Sequence, residues 1–333
     1  MKKCDSLSLL CQYLQNLDSR QEDSAPTPKV RQKLQPDWHA VARLADQHFV
    51  LPLLYQQLVR KRILQLLPED LQTLLAEIYK LNRLRNDLIY NQINRIAFLF
   101  NSAGIEPIFL KGSAALLMEL YDDPGLRVMN DVDFLVDKKD LPTCVELMQS
   151  MGYYPMEGLK LPEDFYHHPP LVHNSHSIRF EIHERLHTDS VLDSEAIITE
   201  SVMIKMPDGI VRVPKNTHFT IHNILHHQVF DKNSLNEETP LYQLYDLYMM
   251  RERHDRHLDW RSICCFFTNH SLQDPYYYSL DLLRKYFKQR PPEKIRLSVQ
   301  CGRIYRRIMH YCNELLASYN LLPRTKNLKI NQK

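Results

Sequence analysis

Two aspartates stand two residues apart in Asp131-Val132-Asp133, within a stretch that continues through Phe134, Leu135 and Val136. Apolar residues at every second position are the pattern of a β-strand, and residues i and i+2 of a strand face the same way. Two carboxylates that close repel, and one pKa rises unless a cation sits between them. Hard cations such as Mg²⁺ take oxygen ligands of this kind, along with waters and substrate phosphates. A second alternating stretch, Ser177–Leu186, places Ile178, Phe180 and Ile182 on one face and Arg179, Glu181 and His183 on the other. If the two strands share a sheet, Glu181 completes a three-carboxylate platform. Two-metal phosphoryl or nucleotidyl transfer needs such a platform to clamp the attacking and leaving oxygens together. Taken alone, Asp-x-Asp reads equally as a pair of solvated surface residues.

The residues upstream strengthen the chemical reading. Glu106–Leu110 is a short apolar run consistent with a strand, Lys111-Gly112-Ser113 follows, and Ala114–Leu120 is rich in helix formers. A strand-to-helix turn offers backbone N–H groups and a helix dipole to a phosphate. Gly112 lets the backbone approach closely, and Ser113 adds a hydroxyl donor. A simple turn capped by Ser113 explains those residues locally, but not the carboxylate pair on the next strand. Lys111 and Arg127 are the cations for phosphate charge. Lys111 also reads as a solvated strand-end lysine, and Arg127 as the ion-pair partner of Asp131 or Asp133. A guanidinium beside a carboxylate cluster suits bidentate phosphate recognition.

The elements that must position these residues follow from periodicity. Leu7, Leu10, Cys11 and Leu14 open the chain at helical spacing, and Ser19–Asp37, with Pro26, Pro28 and Pro36, reads as a linker. Asp37 caps a helix through Ala45, and helices are expected over Leu51–Leu66 and Pro68–Ala103. In the last of these Leu71, Leu74, Leu75, Ile78, Leu81 and Leu84 form a stripe that continues through Ile89, Ile93 and Ile96. A helix over Leu141–Met151 and a strand over Tyr153–Met156 lead into a His- and Pro-rich loop. From Asn216 to about Leu321 the pattern is helical. The partition is residues 1–36 (helix and linker), 37–103 (helical), 104–215 (catalytic core), 216–323 (helical) and 324–333 (frayed tail). The fold class is α+β, a small mixed sheet between helical regions.

Composition sets limits. With 333 residues and 44% hydrophobic content, the chain can bury one large core or two moderate ones. A net charge of +2 gives no global drive toward nucleic acid or an anionic membrane. Seven cysteines lacking C-x-x-C spacing argue against a disulfide framework or zinc ribbon, and reduced thiols in the cytoplasm are the simpler expectation. The opening residues are too short and polar for a signal peptide, and no apolar run spans a bilayer.

Histidines form two groups. His167, His168, His173 and His176 crowd the loop before the Glu181 strand, while His218, His222 and His226 recur every four residues on one helix face. The helical set could bind Zn²⁺ or Ni²⁺, although H-E-x-x-H is absent, and packing beside a cleft is the other reading. His183 shares the face of Glu181 and is expected to line the site. Tyr276-Tyr277-Tyr278 and Arg303, Arg306 and Arg307 read either as an RNA-stacking and pairing surface or as amphipathic helix surface.

In this order the motifs resemble the nucleotidyltransferase superfamily typified by DNA polymerase β: strand, Gly-Ser turn, helix, a strand with paired acidic residues, and a third acid on a later strand. The matching segments include Phe109–Ala115, Arg127–Val136, Gly152-Tyr153, Phe180–Leu186, Tyr245-Asp246-Leu247 and Asp259-Trp260. Within that superfamily the chain is similar to a poorly characterised bacterial nucleotidyltransferase family. The resemblance implies that Gly112 and Ser113 hold an NTP, with ATP the first choice. It implies that Asp131, Asp133 and Glu181 bind Mg²⁺ (or Mn²⁺), with Glu181 as a base toward the acceptor. The implied reaction moves an NMP to an unidentified acceptor and releases pyrophosphate. A toxin-like transferase acting on tRNA or protein, and a non-catalytic nucleotide-binding module, are the competing readings. Glu181 departs from the more usual Asp. A P-loop or protein-kinase motif set is absent.

Overall fold

A computed structural model describes residues 3–15, 36–159, 161–162, 165–187, 191–230 and 240–292. The N-terminal helices α1 (Lys3–Leu14), α2 (Trp38–Gln47) and α3 (Leu51–Arg60) pack through Leu10, Leu14, Val41, Ala45, Leu54 and Leu58. Asp37 caps α2 as expected, accepting from the Ala40 amide at 3.0 Å. The helix expected over Leu51–Leu66 ends at Arg60 instead. Arg62 turns to a positive φ of 54°, and Leu64–Leu66 form a separate 3₁₀ turn.

The long helix α4 (Glu69–Ser102) begins with two acids that favour the positive end of its dipole. Leu71, Leu75, Ile89, Ile93, Ile96 and Phe100 are buried, whereas Leu74, Leu81 and Leu84 are 50%, 62% and 57% exposed. The expected leucine stripe is therefore wrong in its middle, where Asn82, Asn86 and Gln92 take the buried positions. The reason lies in what α4 packs against. Asn82 Nδ2 donates to the Gly125 carbonyl (2.7 Å), and Asn86 Nδ2 donates to those of Pro124 (2.5 Å) and Arg127 (2.8 Å). Arg85 donates to the carbonyls of Met129 and Asn130. A buried loop backbone needs partners for its carbonyls, and amides supply them where leucines cannot. Gly125 is required here, since an added Cβ would lie 2.9 Å from Arg83 Cβ.

The following elements are β1 (Ile108–Phe109), α5 (Lys111–Leu117), β2 (Asp131–Leu135), α6 (Leu141–Ser150), β3 (Tyr154–Pro155), β4 (Leu171–His173) and β5 (His176–His183). After them come α7 (Ser194–Glu200), β6 (Val202–Lys205) and β7 (Ile210–Val213). Among the described residues the strands form one seven-stranded sheet in the order β3-β4-β5-β2-β1-β7-β6. β2 runs parallel to β5 and antiparallel to β1, and β1 runs parallel to β7. Strand β4 lies in the stretch expected as a loop. It is three residues long, too short to show a period, and is held by β3 and β5. Phe134 on β2 packs against Phe100, Phe109 and Phe180 with ring centroids 5.4–6.5 Å apart, so one face of the sheet is fixed beneath α4.

The C-terminal helices α8 (Asn216–Leu225), α9 (Leu241–His254), α10 (Trp260–Asn269) and α11 (Gln273–Phe287) complete an α+β fold. Tyr276 and Tyr277 are 1% and 9% exposed, which corrects both the RNA-stacking and the surface-helix readings for these two. Tyr276 stacks on Phe267 at 5.1 Å in the core between α10 and α11. Arg303, Arg306 and Arg307, with the 324–333 tail, lie outside the described residues. No helix among the described residues is long and apolar enough to cross a membrane.

If the α4 amides hold the loop before β2, Asn86→Ala strands the Pro124 carbonyl, leaves that of Arg127 with Asn82 alone at 3.3 Å, and destabilises the protein by about 2 kcal/mol. Urea denaturation checks this, and a change below about 0.5 kcal/mol counts against the clamp.

Candidate active site

Strand alternation sends Val132 and Phe134 into the core and Asp131 and Asp133 to the opposite face of β2. The parallel register with β5 then sets Asp133 directly across from Glu181, Asp131 across from Arg179, and Leu135 across from His183. Both aspartates, Glu181, Lys111, Gly112 and Arg127 line one cleft of about 310 Å³. His183 lies beneath it, fully buried.

Asp133 is the centre of this arrangement. Its Oδ1 accepts from Lys111 Nζ at 2.7 Å and lies 2.8 Å from His183 Nε2. Burial alone would raise the carboxyl pKa, but the Lys111 ammonium, together with His183, holds it well below the usual carboxylate range. Burial likewise works against the Lys111 charge, and Asp133 more than offsets it, so the lysine stays protonated. Lys111 opens α5 at a positive φ of 49°, an uncommon and strained conformation for a residue with a Cβ. Of its two sequence readings, solvated strand end and phosphate cation, the solvated one does not describe a half-buried lysine held on a buried aspartate.

The other carboxylates are pushed the opposite way. Glu181 is raised to about 7 by burial and then by Asp133 and Asp131. Asp131 is raised by burial and by Asp133, with Lys111 and Arg179 opposing. Groups in this state suit a cation, which would relieve both the repulsion and the burial of charge. Asp133, Glu181 and His183 each offer a ligand atom, all within 4.8 Å of one another. Among the described residues this is the His/Cys/Asp/Glu group compact enough to hold an ion, and it contains His183 where the sequence pointed to Asp131.

The turn residues are explained more locally than expected. The Ser113 hydroxyl is buried and bonds the carbonyls of Leu110 (2.7 Å) and Asp133 (3.0 Å), tying the start of α5 to β2. At Gly112 an added Cβ would lie 2.7 Å from Met129 Cγ, so glycine lets the side chain of the β2 approach cross the turn.

Arg127 pairs with neither Asp131 nor Asp133. Its guanidinium holds Asp246 of α9 through Nε (2.9 and 3.1 Å) and Nη2 (2.8 Å) and lies 4.3 Å over the Tyr242 ring. Tyr121 donates to the same carboxylate at 2.5 Å. The downstream Tyr245-Asp246-Leu247 segment thus belongs to the site as the anchor of Arg127.

Other wall residues were not singled out by the sequence: Phe49, Tyr166, Tyr242 and Gln243. His167 came only as one of a crowd. It bridges the main chain of His183, and its Nε2 is 3.7 Å from Glu181 Oε2. From the helical set His226 reaches the cleft wall, while His218 and His222 are buried on α8. His173 and His176 stack on each other at 4.7 Å, beside Tyr153.

Acids from two parallel neighbouring strands of a mixed sheet thus lie beside a strand-turn-helix, the arrangement expected from the sequence resemblance. The sequence profile of the family described as uncharacterised nucleotidyltransferase matches residues 35–288, and the chain belongs to that family. Among solved structures, the solution structure of the antibiotic-resistance factor ANT(2'')-Ia is similar over 58% of this chain and 98% of that one, at 9% identity and a TM-score of 0.41. No curated protein matches the chain.

Glu181 binds its proton more tightly in the folded protein, at about 7, than an unfolded glutamate does at ~4.3. Its protonation therefore favours the fold, fully below the unfolded value, and that contribution is lost as pH rises through about 7. In chelator, the melting temperature of wild type relative to Glu181→Gln should fall between pH 5.5 and pH 8. Parallel pH profiles for the two proteins would show that Glu181 is not perturbed.

Proposed function

We propose that this chain transfers an NMP from an NTP, ATP first among them, to an acceptor hydroxyl or phosphate, with pyrophosphate as the leaving group. The observation that carries the reading is the register that sets Asp133 across from Glu181, with Asp131 on the same face and the Lys111–Ser113 turn beside it. A divalent cation, Mg²⁺ or Mn²⁺, would supply Lewis-acid stabilisation of charge on the transferring phosphoryl group. Asp131, Asp133 and Glu181 are the carboxylates to hold it, and three of them in one cleft fit an ion of that charge.

The chain's own groups divide the remaining work. Gly112 places the backbone at the start of α5 against the cleft, where a phosphate would lie. Lys111, fixed on Asp133, adds positive charge at the same point. Arg127 borders the cleft with its orientation set by Asp246 and Tyr242. Glu181, whose carboxyl is raised by burial and by Asp133 and Asp131 when no ion is bound, is the base toward the acceptor as well as a carboxylate for the cation. The acceptor oxygen then bonds to the α-phosphorus as the bond to the pyrophosphate oxygen breaks. Residue His183 supports the ionised form of Asp133 from below.

ATP labelled on the α-phosphate should label an acceptor from a cell extract, while γ-labelled ATP should release its label as pyrophosphate. Asp131→Asn should lower the rate about 10³-fold, equivalent to about 4 kcal/mol of transition-state stabilisation. Transfer of the γ-label instead would reassign the chain to kinase chemistry, and an unaffected Asp131→Asn would remove that residue from the mechanism.

A further inference from the structure

Helix α4 carries a second face that neither the sheet nor the loop before β2 covers. Leu74, Leu81, Leu84 and Leu88 on it are all exposed, although Leu71, Leu75, Ile89 and Ile93 of the same helix are buried. Spacings of seven, three and four residues confine the exposed leucines to an arc of about 80° on a line about 21 Å long. That is the narrow seam of a coiled coil, where apolar residues recur every three and four positions. A row of leucines in water marks a surface where another protein docks.

The charges beside the row identify the occupant. Lys80 and Asp87 are both exposed and flank it on one side, seven residues apart. Lys80 Nζ lies 3.9 Å from Glu77 Oε1, a loose contact that leaves its charge available. In an antiparallel pair related by a two-fold axis at the level of residues 82–83, Leu81 meets Leu84 of the other copy, and Leu84 its Leu81. The same axis brings Lys80 beside Asp87 of the other copy, twice by symmetry. Sliding the pair by one heptad in either direction would place Asp87 against Asp87 or Lys80 against Lys80. A parallel pair would bring Lys80 beside Arg85, again like charges. Of these arrangements, the first alone joins the central leucines and opposes unlike charges.

We propose that α4 pairs antiparallel with α4 of a second copy of this chain, with Leu81 and Leu84 at the centre of the seam and Lys80–Asp87 pairs fixing its register. Glu77 and Asn91 take the outer seam positions, opposite Leu88 and Leu74, so the apolar contact is short. A short seam gives a reversible dimer, with a dissociation constant of about 10 µM. Asn82 and Asn86, on the opposite side of the same turns, hold the carbonyls of the loop that feeds β2. Pairing therefore braces α4 where it positions the candidate site. The proposal is independent of the chemistry assigned to the cleft.

Sedimentation equilibrium of the full chain from about 1 to about 200 µM should show a monomer–dimer equilibrium. Leu81→Lys and Leu84→Lys replace exposed side chains, so each should keep the wild-type circular dichroism while weakening the dimer about tenfold or more. Lys80→Asp and Asp87→Lys should each weaken it about tenfold, and the double variant should return to within about threefold of wild type. Restoration requires the two positions to face each other, which an effect confined to one helix would not produce. A chain monomeric throughout, its leucines covered by another segment of itself or by a different protein, overturns the proposal. So does a dimer that both leucine variants leave intact, because it uses another surface. Single charge reversals that leave the dimer unchanged, or strengthen it as a parallel pair would, overturn the antiparallel register and with it the proposal. A double variant no tighter than the singles does the same.

Discussion

Asp133 carries a negative charge in a position only 2% exposed, at the centre of a seven-stranded sheet. An isolated carboxylate there would be protonated, because desolvation penalises the charged form. It is ionised because Lys111 and His183 converge on the same oxygen from two different elements. The main chain at this residue is equally committed, its carbonyl accepting from the Leu110 amide (2.9 Å) and the Ser113 hydroxyl (3.0 Å). The chain leaving β1, the turn into α5, and strand β5 thus all meet at one aspartate. A buried ion pair of this kind contributes little net stability against its desolvation cost, and removing one partner is strongly unfavourable. Its effect is on arrangement: the lysine must be in the left-handed turn and His183 in the matching register for the charge to exist.

Two polar devices extend that constraint to the rest of the molecule. Asn82, Arg85 and Asn86 of α4 bind the carbonyls of the loop that feeds β2, which fixes where the strand begins. Arg127 leaves that loop and closes on Asp246 of α9, with Tyr121 on the same carboxylate. Helices α4 and α9 therefore hold the same short segment, residues 121–130. Displacing either helix would be felt at Asp131 and Asp133 within a few residues.

These relationships were unevenly legible in the sequence. Alternation alone placed Asp131 and Asp133 on one face, and Glu181 on the same face as His183, because a period of two is local information. The order of turn, paired acids and third acid carried the family. What alternation could not convey is register. Only the β2–β5 pairing sets Asp133 rather than Asp131 across from Glu181. The leucines of α4 misled for a related reason. Counting apolar residues finds a face only when the partner surface is apolar, and Asn82 and Asn86 face carbonyls instead. Arg127 showed its charge and its nearness to the acids but not its partner, which lies more than a hundred residues downstream. Ser113 and Gly112 were read for what they could offer a ligand, whereas their immediate tasks are to satisfy two carbonyls and to make room for Met129.

The opposite shifts of the two facing carboxylates follow from a single asymmetry. Asp133 and Glu181 occupy paired positions on adjacent parallel strands, yet the lysine and the imidazole both lie within hydrogen-bonding distance of Asp133. Once that oxygen is ionised, its charge becomes part of the repulsion that raises Glu181 to about 7. One acid is thereby held as a permanent anion and the other is poised to exchange a proton near neutral pH. Pairs of titratable groups driven apart by their surroundings are a general mark of acid–base division of labour. Here the difference between the two acids comes from which of them Lys111 and His183 reach. The sheet register, which sequence periodicity leaves undetermined, is therefore also what sets the two carboxyls apart in their protonation.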